Sequence, residues 1–180
     1  MGQGIAGFFN DLQKSWKENS IHRKCHRAAM KAIDGSDAQS LQQILDKVQN
    51  RETFLKKYQD DLMKRAIYRG GSDVFDSLLE FSKDPNACVS EIRPTPGGDS
   101  WHTYRMPLLY YPLSNRSHDI ALKLAGDPRT NIELKASDGQ IPMSLAEACG
   151  MKDVVAVLMN RTAELREKEA ENLRKSYLGP

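Results

Sequence analysis

The sequence predicts an all-α fold: a short solenoid of about four helix-turn-helix repeats with a capping helix at each end. Three observations carry this. The stretch DGQIPMSLAEACGMKDVVAVL, residues 138–158, holds two short apolar-periodic segments split by a glycine. Similar pairs recur upstream at nearly regular steps. Long helical patterns stand at both ends of the chain. A helix of roughly eight residues does not survive alone in water, so each pair has to bury its apolar stripe against a neighbour.

From the N-terminus, residues 1–24 form an amphipathic helix. Ile5, Phe8, Phe9, Leu12 and Trp16 fall at i, i+3, i+4, i+7 and i+11, which is one helical face. Repeat arrays need terminal elements with a polar outer face, so this helix is expected to cap the array. The helix pairs then occupy residues 25–160. Superposing the last pair on its predecessors gives steps of 35, 45 and 34, with Pro142 on Pro107, Ala146 on Tyr111, Phe75 on Leu41 and Leu79 on Leu45. Pro107 and Pro142 suit a first helical position, where the missing N–H costs no hydrogen bond. Gly35, Gly70, Gly71 and Gly150 stand near the turns, where left-handed backbone is needed. Residues 161–180 form a charged helix or tail in which Glu164 with Lys168 and Glu171 with Lys175 are favourable i, i+4 pairs.

The last unit resembles an ankyrin repeat. The residues that carry the resemblance are Asp138-Gly139-Gln140-Ile141-Pro142-Met143-Ser144-Leu145-Ala146, then Gly150, then Asp153-Val154-Val155 and Leu158-Met159. The stretch 131–135 is similar to the extended arm between such repeats. Met106-Pro107-Leu108 through Leu124 resembles the same pattern more loosely, and the two earlier units more loosely still. The usual Thr and His of the family's turn are replaced by Ile141 and Ser144 in one unit and by Met106 and Leu109 in another. The resemblance implies a module that binds another protein through its short-helix face and finger loops.

The 45-residue step exceeds its neighbours by ten or eleven residues, and the excess falls at 82–105. Insertions in repeat arrays map to one face, often the binding face. With Pro94, Pro96, Gly97 and Gly98, this one is expected to project as an irregular loop. Arg93, Trp101, His102, Tyr104 and Arg105 in it, together with Tyr68, are the candidate partner contacts, because Trp, Tyr and Arg dominate binding hot spots. The competing structural role is that Trp101 and Tyr104 fold back to fill a gap around Tyr111.

Composition narrows the function. With 39% hydrophobic and 28% charged residues the chain is an ordinary globular one that owns a core. A net charge of +2 offers no bulk basis for binding nucleic acid. There is no apolar run of membrane-span length and no secretory signal pattern, and the three cysteines show no paired spacing, so a cytoplasmic location is expected. The glutamate-rich tail loosely resembles those of bacterial proteins translocated into host cells, which gives the alternative of an effector or secretion-linked adaptor. A second function class is a peripheral membrane protein. There Phe8, Phe9 and Trp16 would enter the interface, and Lys14, Lys17 and the following cations would meet anionic lipid. A third class is a metal-dependent enzyme on His22, Cys25 and His26, three and four residues apart. Neighbouring Arg23, Lys24 and Arg27, with no carboxylate near, oppose a cation there. No phosphate loop or nucleophile motif is present, so no catalytic residue, metal or cofactor is expected.

Overall fold

A computed structural model describes residues 3–94 and 100–178; side chains are described for 14–69, 71–92 and 100–177. The described chain is 69% helical, with eight α-helices and one two-stranded sheet, and is therefore all-α in class. It forms two compact units, residues 1–83 and 84–180.

The first unit contains α1 (Gln3–Asp34), α2 (Ala38–Leu45), α3 (Arg51–Arg65) and α4 (Gly71–Ser82). Helix α1 continues without interruption past residue 24, where the sequence suggested a boundary. From α1 onward, Ala29, Ile33, Leu41, Leu45, Phe54, Leu62, Phe75 and Leu78 form a closed apolar core. Asp37 caps α2 by accepting from the Ser40 N–H at 2.8 Å, and Asn50 caps α3 by accepting from that of Thr53 at 3.3 Å. Such caps are worth about 1 kcal/mol each. The Arg65 guanidinium grips Asp34 through both nitrogens at 2.6 and 2.9 Å, which holds the Asp34 carboxyl below the usual carboxylate range.

The second unit contains β1 (Cys88–Pro94), β2 (Trp101–Pro107), α5 (Tyr110–Ser114), α6 (His118–Gly126), α7 (Pro142–Ala148) and α8 (Lys152–Leu178). The expected irregular loop at 82–105 is thus replaced over most of its length by an antiparallel hairpin. Its reason lies in the flanks of the Pro-Gly tip. Val89, Ile92, Trp101, Thr103 and Tyr104 are strand formers, and only 95–99 falls outside the described residues. The Leu108 N–H donates to the Ala87 carbonyl at 2.7 Å and closes the base of the hairpin. Helix α8 runs unbroken through residues 160 and 161, with Lys175 bonded to Glu171 at 2.7 Å.

Three helix pairs turn in the same way. The N–H groups of Asp37, Ser117 and Met151 donate to the carbonyls of Ala32, Pro112 and Ala146 at 2.9 to 3.0 Å, five residues back. In each, the preceding residue is left-handed: Ser36 at φ 52°, Arg116 at 56° and Gly150 at 71°. This double hydrogen-bonded cap satisfies carbonyls that a helix end otherwise leaves orphaned. It also corrects two readings of the sequence. The last two pairs recur at 34 residues, not 35, so that Val154 and Leu158 correspond to Ile120 and Leu124, all four buried. Pro112 rather than Tyr111 then occupies the position of Ala146, and Pro107 ends a strand instead of starting a helix. Nor does Gly35 take the left-handed conformation, which falls to Ser36. The α3–α4 pair differs: a π turn over Ala66–Gly70 takes up the chain, and Gly71 follows at φ 73°, ψ 178°, a conformation essentially reserved for glycine.

Tyr110, at 2% exposure, is the aromatic centre of the second unit. Its hydroxyl donates to the Leu134 carbonyl at 2.9 Å and lies against that of Gln140, pinning both arms of the turn that Gly139 makes at φ 82°. Arg161 of α8 donates to the carbonyls of Ala125 at 2.7 Å and Thr130 at 2.9 Å, so it satisfies the end of α6 and the loop after it.

Two measurements check this account. Burial pushes the Tyr110 phenol up to about 12 from its ordinary 10. The unfolded chain therefore loses this proton first, and the stabilisation is complete below pH 10 and lost as pH rises toward 12. Tyr110→Phe should cost about 1–3 kcal/mol at neutral pH by removing the phenol donor from the Leu134 carbonyl, while the Gln140 carbonyl keeps the Ala136 N–H. It should also flatten the stability curve above pH 10 relative to wild type, by up to about 1.4 kcal/mol per pH unit. In urea titrations, Arg116→Gly should raise stability by about 0.5–1 kcal/mol, because a left-handed arginine carries a Cβ penalty that glycine does not.

Candidate functional site

Strand alternation sorts the hairpin's side chains onto two faces. The register pairs Val89 with Met106, Glu91 with Tyr104 and Arg93 with His102 on one face. Ser90 with Arg105, Ile92 with Thr103 and Pro94 with Trp101 make the other. The first face turns inward, since Val89 and Met106 are buried and Glu91 and Tyr104 half-buried. On the second face Trp101 is 70% exposed and Ile92 67%, with Thr103 and Arg105 also open to solvent. Two large apolar side chains therefore stand on neighbouring strands, two residues apart in register, and Arg105 lies on the same face, diagonal to Ile92 and four residues along the strand from Trp101.

This geometry divides the residues singled out from sequence. Trp101 and Arg105 share the outer face. His102 is exposed on the opposite face, and Tyr104 is half-buried there. Arg93 sits opposite His102, with its side chain outside the described residues. Trp101 does not fill a gap near Tyr111, as its exposure shows; the centre of the core is the neighbouring Tyr110. Ile92 carries no mark in the sequence beyond its strand propensity, because only the register places it beside Trp101. In the other unit, Tyr68 lies in the π turn with 65% of its surface exposed and the Arg69 guanidinium 5.5 Å from its ring centre.

The His22, Cys25, His26 cluster packs as structure. His22 is fully buried, its Nε2–H donating to the Gln49 carbonyl at 2.6 Å, with its ring edge-on to Phe54 at 5.5 Å. His26 stacks on Tyr58 at 4.4 Å, and burial holds its pKa below the ordinary value although Asp61 pulls the other way. Carboxylates do lie near, contrary to the sequence reading: Glu18 is 4.0 Å from His22 and Asp61 3.9 Å from His26. Even so, no three His, Cys, Asp or Glu side chains among the described residues converge as a cation site. Cys25 and Cys149 are half-buried free thiols and Cys88 is an exposed one.

At the N-terminus, Trp16 is 77% exposed, so most of its surface is left uncovered. Lys14 and Lys17 are exposed beside it. The side chains of Phe8 and Phe9 lie outside the described residues. Among the described residues, no helix is long and apolar enough to cross a membrane. Compared with known proteins, the sequence matches no protein-family model and no curated protein.

The two hairpin faces predict opposite mutational behaviour. A Trp101→Ala, Ile92→Ala double variant should unfold within about 0.5 kcal/mol of wild type, as exposed substitutions do. Met106→Ala on the inner face should cost about 2–5 kcal/mol. Chemical denaturation of the three proteins measures both.

Proposed function

We infer that the chain is a protein-binding module of degenerate ankyrin-like helix pairs, with the outer face of the β1–β2 hairpin as its main contact. The observation that carries this is the exposure of Trp101 and Ile92 on a single face of a hairpin whose other face is anchored in the core. Large rigid apolar side chains held in solvent cost little conformational entropy to bury. Trp and Arg are enriched in binding hot spots, and Trp101 and Arg105 stand on this same face. Thr103 and Arg105 supply a polar rim to this patch.

The test is affinity capture from native lysate with identification by mass spectrometry, comparing wild type with the Trp101→Ala, Ile92→Ala variant. A specific partner should be lost from the variant, with a loss of 2 kcal/mol or more in binding, on the order of thirtyfold, while the melting temperature holds. Retention of every partner by the variant would move recognition away from the hairpin.

A further inference from the structure

The solvent face of α1 concentrates basic side chains. Positions 14–34 contain six basic residues and two acidic, in a chain whose net charge is only +2. Glu18 is half-buried 4.0 Å from His22, on the packed side of the helix, and Asp34, at the helix end, is held by the Arg65 guanidinium. At 100° per residue, Trp16, Lys17, Arg23, Lys24, Arg27 and Lys31 fall within a sector of about 120°, opposite the buried His22, Ala29 and Ile33. All six are exposed. Among the described residues, none of the five cations forms an ion pair. The row from Lys17 to Lys31 is about 21 Å long at 1.5 Å per residue. Lys57 of α3 extends it sideways, closing with Trp16, Asn19 and Arg23 a shallow cleft of about 380 Å³. There the Lys57 ammonium donates to the Asn19 side-chain oxygen at 3.3 Å.

We propose that this face docks on an anionic lipid surface, with Trp16 in the headgroup layer, a lipid phosphate between Arg23 and Lys57, and the lysines and arginines along the membrane plane. Charge complementarity selects an anionic occupant, since a row of like charges without counter-ions is repulsive until an opposite charge covers it. Shape selects a plane. The cations stand on one face of a single helix and do not flank a groove of duplex width. The exposed indole selects a membrane interface, where an aromatic ring with a polar edge is favoured over either bulk phase. Trp16 is also the last member of the apolar series that the sequence spaces along the start of this helix.

Co-sedimentation of the full chain with phosphatidylcholine vesicles, with and without phosphatidylglycerol, tests this. The protein should bind only the anionic vesicles and be released at high salt, where the screening length falls to a few ångströms. Each interfacial cation strengthens partitioning roughly fivefold, so Lys17→Gln, Lys24→Gln and Arg27→Gln together should weaken it on the order of a hundredfold. All three positions are exposed, so circular dichroism should be unchanged. In a Trp101→Phe background the only tryptophan is Trp16, and its emission should shift to the blue on anionic vesicles. Failure to bind anionic vesicles, binding that the triple variant retains, or an unshifted Trp16 emission would each overturn the proposal. Retention on a single-stranded oligonucleotide without vesicle binding would overturn it too, and would make the face a nucleic-acid surface.

Discussion

Short helices do not hold themselves, and in this chain the turns that join them carry the constraint on which everything else rests. Helices α5 and α7 have five and seven residues, below the length at which propensity sustains a helix in water. Each turn therefore has to satisfy the helix-end carbonyls while sending the chain straight into the next helix. The left-handed residue with its five-back hydrogen bond does both within a few residues. Where the bond pattern changes, at Ala66–Gly70, the backbone resorts to a π turn and to a conformation that only Gly71 accommodates. Burial follows from this geometry: Ala146 and Pro112, small or compact residues just before the turn, lie buried where the paired helices approach.

The second unit adds polar clamps along an irregular stretch of backbone. Arg161 reaches three carbonyls of the 125–130 segment. Asn86 donates to the Arg129 carbonyl at 2.9 Å and accepts from the Asn131 N–H at 2.6 Å. Asp127, held below the usual carboxylate range by Arg129, completes the loop between them. These bonds fix irregular backbone that regular secondary structure does not satisfy. The hairpin starts directly beside Asn86, so its base is anchored while its outer face stays open.

In the first unit a buried aromatic stack decides the rotation of α1. His22 against Phe54, Phe54 against Tyr58 and Tyr58 against His26 bring one side of α1 onto α3. The hydrogen bond from His22 to Gln49 sets that orientation, since any large rotation would bury the ring without a partner. The basic face of α1 is turned to solvent as a consequence. One packing decision thus explains both the burial of a histidine and the exposure of a tryptophan.

The sequence by itself determined the helical class, the helix pairs, the position of the extra chain and the separation of apolar from basic residues along α1. Those properties are local, because periodicity, proline placement and charge order are read within one or two turns of helix. It misplaced one turn by a residue, since Arg116 and Ser36 are left-handed without being glycine and only closed hydrogen bonds reveal them. It also took a proline- and glycine-rich stretch for an irregular loop, because turn residues at a hairpin tip dominate local composition while strand pairing depends on partners seven to nineteen residues away. Tertiary structure alone decided that Trp101 faces outward beside Ile92 and Tyr104 does not. The same holds for Tyr110, which is buried while Tyr111 is only half-buried, and for Lys57, which joins Trp16 and Arg23. Each of these depends on which face meets the core, a choice made by contacts distant in sequence, where the free energy of burial outweighs any preference of the residue itself.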